Sequence, residues 1–87
     1  MIIKEIEVKN RVGLHARPVS IIAAEASKFQ SDIQIRHRNV TVNAKSTIKL
    51  LALGINSGEC IELCISGQDE NKAFERLNSI FDSINYD

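Results

Sequence analysis

The residue pattern predicts a two-layer α+β domain, an antiparallel sheet covered by helices on one side and open to water on the other. In four short segments apolar residues alternate with polar ones, the period of a strand with a single buried face. Three other segments space their apolar residues by three and four, the period of an amphipathic helix. The order is strand, helix, strand, strand, helix, strand, helix. That order suits a two-layer domain. At 87 residues, without repeat, linker or low-complexity stretch, the expectation is one domain spanning residues 1–87.

The first strand rests on Lys4, Ile6 and Val8 alternating with Glu5 and Glu7, the even face turning inward. Next comes Gly13-Leu14-His15-Ala16-Arg17-Pro18. Pro18 fixes φ near the helical value and lacks an N–H that a first helical turn leaves unpaired, while disfavouring helical geometry at Arg17. A helix therefore begins close by. Its buried stripe is Val19, Ile22, Ala23, Ala26 and Phe29, and Ile21 and Ala24 fall off it. His15 sits at or just before the helix start. Unpaired N–H groups at a helix N-terminus favour anions, and Arg17 adds a planar fork suited to phosphate. By spacing alone, a histidine here is a cap or a surface residue.

Ile33 and Ile35 alternate with Gln34 and Arg36 in a second strand, followed by His37, read as a surface histidine. Arg38 and Asn39 are turn candidates leading to a third strand at Val40 and Val42. Ser46 is placed as the N-cap of a short helix that Gly54 stops. Leu50 and Leu53 share one of its faces, Ile48 and Leu51 another, and one pair must leave the core. Ile61, Leu63 and Ile65 make the fourth strand. Gly67 breaks it. The last helix carries Ala73, Phe74, Leu77, Ile80, Phe81 and Ile84 on one stripe, with Ser66 or Asp69 as its cap.

Cys60 and Cys64 share one face of the fourth strand, about 13 Å apart at 3.3 Å per residue, beyond the reach of a disulfide or a shared metal. They are expected to be free thiols, and no metal site is expected. A membrane-spanning helix needs roughly 20 consecutive apolar residues, and none is present. Acidic residues near the start argue against a secretion signal, so the cytoplasm is the expected location. Net charge is zero, yet residues 1–49 hold nine Lys or Arg against four Asp or Glu, and residues 50–87 hold two against seven. No dense basic run or aromatic interleaving points to nucleic acid. The +5 half suggests steering of an acidic protein partner.

The hexapeptide at residues 13–18, read with Val42-Asn43-Ala44-Lys45-Ser46, resembles HPr, the histidine-containing phosphocarrier family of the bacterial sugar phosphotransferase system. The resemblance covers nearly the whole chain. It implies an open-faced sandwich of βαββαβα order, with a four-stranded antiparallel sheet and three helices on one face. It also implies that Enzyme I, charged by phosphoenolpyruvate, passes a phosphoryl group to Nδ1 of His15, which hands it to an enzyme IIA component. The chain would then be a carrier and not an independent catalyst, expected to be a monomer, with no metal or organic cofactor.

The residues agree with that chemistry. An imidazole with the ordinary pKa of about 6.5 is largely neutral near pH 7 and nucleophilic. Arg17 and the helix start at Ala16, Arg17 and Pro18 would hold the phosphoryl oxygens. Ser46 matches the family's regulatory serine, a target of HPr kinase/phosphorylase in low-GC Gram-positive members, whose serine-phosphorylated form binds catabolite control protein A. The expected partner surface is Ser20, Ile21, Ala24, Thr47, Ile48 and Leu51. Two departures stand out: Val12 replaces the Asn, Ser or Thr often found there, and Thr47-Ile48-Lys49 replaces the usual Ile-Met-Gly. Two rival functions are a regulatory paralogue acting through Ser46 alone, whose members lack the histidine, and a small enzyme built on His15. The second lacks an acidic partner for the imidazole in the local sequence.

Overall fold

Strands β1 (Ile2–Glu7), β2 (Asp32–His37), β3 (Val40–Asn43) and β4 (Cys60–Ser66) form one sheet, and helices α1 (Ala16–Ala26), α2 (Thr47–Ala52) and α3 (Glu70–Asn85) pack on one of its faces. The computed structural model describes residues 1–86. Across the sheet the order is β1-β4-β2-β3, every neighbour antiparallel. This is the open-faced α+β sandwich that the alternation and the resemblance predict.

Register places Ile6 opposite Ile61 and Ile35 opposite both Leu63 and Val42, so one face of the sheet carries the apolar rows. Ile33, Ile35, Leu63 and Ile65 are completely buried there, against Val19, Ile22 and Ala26 of α1 and Ala73 and Leu77 of α3. Lys4 shares the inward side of β1 but sits at the rim. Its ammonium donates to Asn78 Oδ1 at 2.6 Å and lies 5.7 Å from the Phe74 ring centroid. Cys60 and Cys64 lie on the open face, both with free thiols. Burial, and then the Glu62 carboxylate, push the Cys64 thiol up.

Three expectations are corrected. His37 is not a surface residue: it ends β2 on the inward side with Ile33 and Ile35 and is buried. Strand parity decides this, since residues two apart share a face. Its Nε2 stands 3.2 Å from Glu59 Oε2 without hydrogen-bond alignment, and Arg38 pairs with the same carboxylate. The Asn56 amide, donating to Glu59 Oε1 at 2.8 Å, is the main reason that this carboxyl lies below its usual range. Phe29 lies beyond α1 in the following turn, half-buried against the core. Ser27 ends that helix, its hydroxyl donating to the Ala23 carbonyl at 2.8 Å.

The third correction concerns the start of α3. Asp69 occupies the N-cap position, yet its carboxylate makes no cap bond. It turns instead to the α1–β2 connection, accepting from the Gln30 and Ser31 amides at 2.9 Å each and from the Ser31 hydroxyl. The hydroxyl first, and the Gln30 amide next, hold that carboxyl below the usual range. Glu70 supplies the local brace, accepting from the Gly67 amide at 3.1 Å.

Other sequence readings hold. Arg38 and Asn39 both take positive φ in the β2–β3 turn, a conformation that Asn tolerates better than most residues. Ser46 caps α2, its hydroxyl accepting from the Lys49 amide at 3.2 Å, and Gly54 follows the helix in the left-handed region. Leu50 is buried and Leu53 half-buried, which leaves Ile48 81 % and Leu51 40 % exposed. At the far end of α3, Asn85 accepts from the Lys9 amide and donates to the Glu7 carbonyl, each at 2.9 Å. The end of β1 is thereby clasped to α3 just ahead of the histidine loop.

Candidate functional site

The loop between β1 and α1 is held from below by backbone. Leu14 is buried, and its amide donates to the Ile55 carbonyl at 3.0 Å. Gly13, at φ +73°, lies so close to this segment that a Cβ there would stand 2.5 Å from the Ile55 oxygen and 2.9 Å from Asn56 Cα. Only glycine fits both the conformation and the space. Asn10 Nδ2 donates to the Gly13 carbonyl at 2.7 Å. With Gly13 and Leu14 fixed, His15 is turned outward.

His15 is the N-cap of α1, with extended backbone, and its side chain makes no cap hydrogen bond. Its imidazole is exposed. The first bond of the helical ladder runs from the Val19 amide to the His15 carbonyl at 3.1 Å. Ala16 and Arg17 therefore present N–H groups with no acceptor within the helix, and Pro18 has none to present. Arg17 is already helical despite the proline that follows it, so the helix begins two residues ahead of Pro18. The dipole end of α1 and the guanidinium of Arg17 thus share the neighbourhood of one unengaged imidazole. That set can receive an anionic phosphoryl group.

His15 and Arg17 line an open cleft with Pro18, Ile21, Asn10, Arg11, Val12 and Ile84. Four of the expected site residues therefore meet in it: His15, Arg17, Pro18 and Ile21. Ala16, Ser20, Ala24, Ser46, Thr47, Ile48 and Leu51 do not line it. Of these, Ser20, Ala24, Ile48 and Leu51 are exposed, and Ser46 and Thr47 are partly shielded at the start of α2. Helices α1 and α2 pack together, with Ile21, 45 % exposed, on one and Ile48 on the other. Val12, 70 % exposed, adds an apolar side chain to the cleft.

Asn10, Arg11 and Ile84 were missed. The signal for Asn10 was present, since it continues the even positions of Ile6 and Val8 and so belongs on the buried face. No local pattern could bring in Ile84. It reaches the cleft because α3 runs back past the end of β1, a matter of topology.

Fold and site together define an open-faced sandwich that presents a histidine at a phosphate-ready helix start. The family model described as the phosphotransferase-system HPr component phosphorylation site matches residues 2–83. The chain belongs to the HPr family, the phosphocarriers of the phosphotransferase system. It is 44 % identical over 77 residues to the HPr-like protein Crh of Halalkalibacterium halodurans, covering 88 % of this chain and 92 % of that one. The crystal structure of HPr-C-His from Thermoanaerobacter tengcongensis superposes with a TM-score of 0.93 at 38 % identity, covering 100 % of this chain and 98 % of the other. A structure from the same organism described as an HPr dimer gives 0.76 at 41 % identity, with 90 % of each chain covered.

Proposed function

We propose that this chain carries phosphoryl groups on His15 between Enzyme I and an enzyme IIA component. The observation that carries the reading is the unengaged His15 imidazole at the α1 N-cap, in one cleft with Arg17. In the first transfer an imidazole nitrogen, Nδ1 by family resemblance, forms a bond to phosphorus as the bond to the Enzyme I donor breaks. In the second that new bond breaks, and the group passes to the enzyme IIA acceptor. Arg17 and the amides of Ala16 and Arg17 would take the phosphoryl oxygens in both, as fixed donors that need little reorganisation. Strong stabilisation of the charged intermediate would stall onward transfer, and an open, water-exposed site keeps it moderate.

Ile21, Ile48 and Leu51, with Ser20, Ala24 and Thr47, form the proposed docking surface. Ser46 lies at its border and is the proposed regulatory phosphorylation site for HPr kinase/phosphorylase, the product being read by catabolite control protein A. The Crh relative keeps a regulatory reading in view, in which Ser46 acts without carriage. Against it stands the His15 side chain, exposed and making no cap bond. The chain acts in the cytoplasm, as a single-domain monomer and a protein substrate, not a catalyst in its own right.

The test is incubation with phosphoenolpyruvate and Enzyme I, followed by mass spectrometry. An acid-labile phosphate on His15 that moves to enzyme IIA supports the carrier. Failure to charge, with Ser46 still accepting phosphate from the kinase, supports the regulator.

A further inference from the structure

We infer that Asn10 is a positioning residue for phosphoryl transfer at His15, its buried carboxamide fixing the Gly13–Leu14 peptide unit just ahead of the histidine. The inference rests on the carrier reading. The turn Asn10–Gly13 is closed twice, by the Gly13 amide to the Asn10 carbonyl at a long 3.4 Å and by Asn10 Nδ2 to the Gly13 carbonyl at 2.7 Å. The side chain makes the shorter contact. The next peptide unit, between Gly13 and Leu14, is then held on both edges: its carbonyl by Asn10, its N–H by the Ile55 carbonyl at 3.0 Å. His15 follows one residue later.

Packing alone does not account for an asparagine in this place. Asn10 is only 5 % exposed and continues the face of Ile6 and Val8, where an apolar side chain would bury without cost. Its Oδ1 is buried without a hydrogen-bond partner, so the carboxamide is half-used by the fold. The reverse orientation of the amide would set two acceptors against each other, which fixes the nitrogen toward Gly13. An acceptor left unmet is destabilising, and the residue nevertheless lines the cleft of His15 and Arg17. Reacting groups must be held within a fraction of an ångström for efficient transfer, and this side chain braces, from the β1 side, the loop that carries the histidine.

The experiment compares the parent with Asn10→Ala and Asn10→Asp in steady-state charging by Enzyme I, together with thermal unfolding. Asn10→Ala removes the unmet Oδ1 but leaves the Gly13 carbonyl without its side-chain donor, so one unmet acceptor replaces another. The net loss of one hydrogen bond should lower the midpoint by about 4–8 °C, leaving a folded protein at about 25 °C. Its kcat should fall roughly fivefold, the weight of one net hydrogen bond, with KM unchanged because the docking surface is untouched. Asn10→Asp keeps the shape, removes the donor and sets a negative charge beside the incoming phosphoryl group, and should fall further. If the alanine variant does not fold, Asn10→Ser, shorter and uncharged, is read for the same kcat and KM. A folded variant with the parent's kcat overturns the inference alone. A parent that takes up no phosphate on His15 removes the carrier reading and the inference with it.

Discussion

The carbonyl oxygen of Ile55 occupies the space that a β-carbon on Gly13 would need, 2.5 Å from its ideal position. This contact seats the histidine loop on the segment before β4, and neither partner can yield cheaply because the obstructing atoms are backbone. Gly13→Ala should therefore lose roughly 2–4 kcal/mol from the positive φ and the overpacking combined. Urea unfolding at neutral pH measures it. A loss under 1 kcal/mol would show that the loop can lift away from Ile55.

His15→Ala should abolish charging while leaving stability within about 0.5 kcal/mol of the parent, since the imidazole is exposed and makes no cap bond. Loss of cooperative unfolding would count against its place at the surface.

Arg17→Lys should lower kcat for charging roughly tenfold and leave KM nearly unchanged, because a compact ammonium cannot reproduce the guanidinium fork. Rapid-quench measurement of phosphohistidine formation separates the two constants. Equal transfer rates for variant and parent would remove Arg17 from the phosphoryl site.

Ser46→Asp acts mainly through charge, since aspartate can also accept from the Lys49 amide as the Ser46 hydroxyl does at 3.2 Å. A negative charge within a Debye length of roughly 8 Å of a docked acidic partner should raise KM for Enzyme I, and added salt should relieve part of the rise. Initial rates against carrier concentration at two ionic strengths give the answer. A folded variant charged as fast as the parent below saturation would sink the placement of Ser46 beside the docking surface.

Acid should weaken the anchor between α3 and the α1–β2 connection. The Asp69 carboxyl lies below its usual range because the Ser31 hydroxyl and the Gln30 amide donate to it, so its contribution is present above the unfolded pKa and is lost as pH falls through the folded one. Asp69→Asn should thus be less stable than the parent at pH 7, and the gap should narrow below about pH 4. Denaturant midpoints at the two pH values decide it. A gap of constant size across that range would mean that the ionised carboxylate is not what matters.

Much of the architecture was legible in the chain because burial on one face leaves a period. Ile33 and Ile35, Ile61 to Ile65 and the stripe of α3 each announced an element. Ser46 and Gly54 marked a helix, the one by a hydroxyl that caps its first turn and the other by a backbone free to take positive φ. The hexapeptide at residues 13–18 likewise placed His15 at a helix start, since Pro18 and the stripe that follows act over a few residues. Local pattern could not say whether Ile48 or Leu50 would face the core. That depended on α2 lying against α1. It could not see that Asp69 would turn from its own helix to Ser31, nor that Glu59 would gather His37 and Arg38, because those partners are distant in sequence. The candidate site divides in the same way: His15 and Arg17 are placed by neighbours along the chain, whereas Asn10, Ile55 and Ile84 come to it only through the packing of β1, the segment before β4 and the end of α3. Short-range sterics and periodicity are written residue by residue, and contacts between remote segments exist only once the sheet order β1-β4-β2-β3 has brought them together.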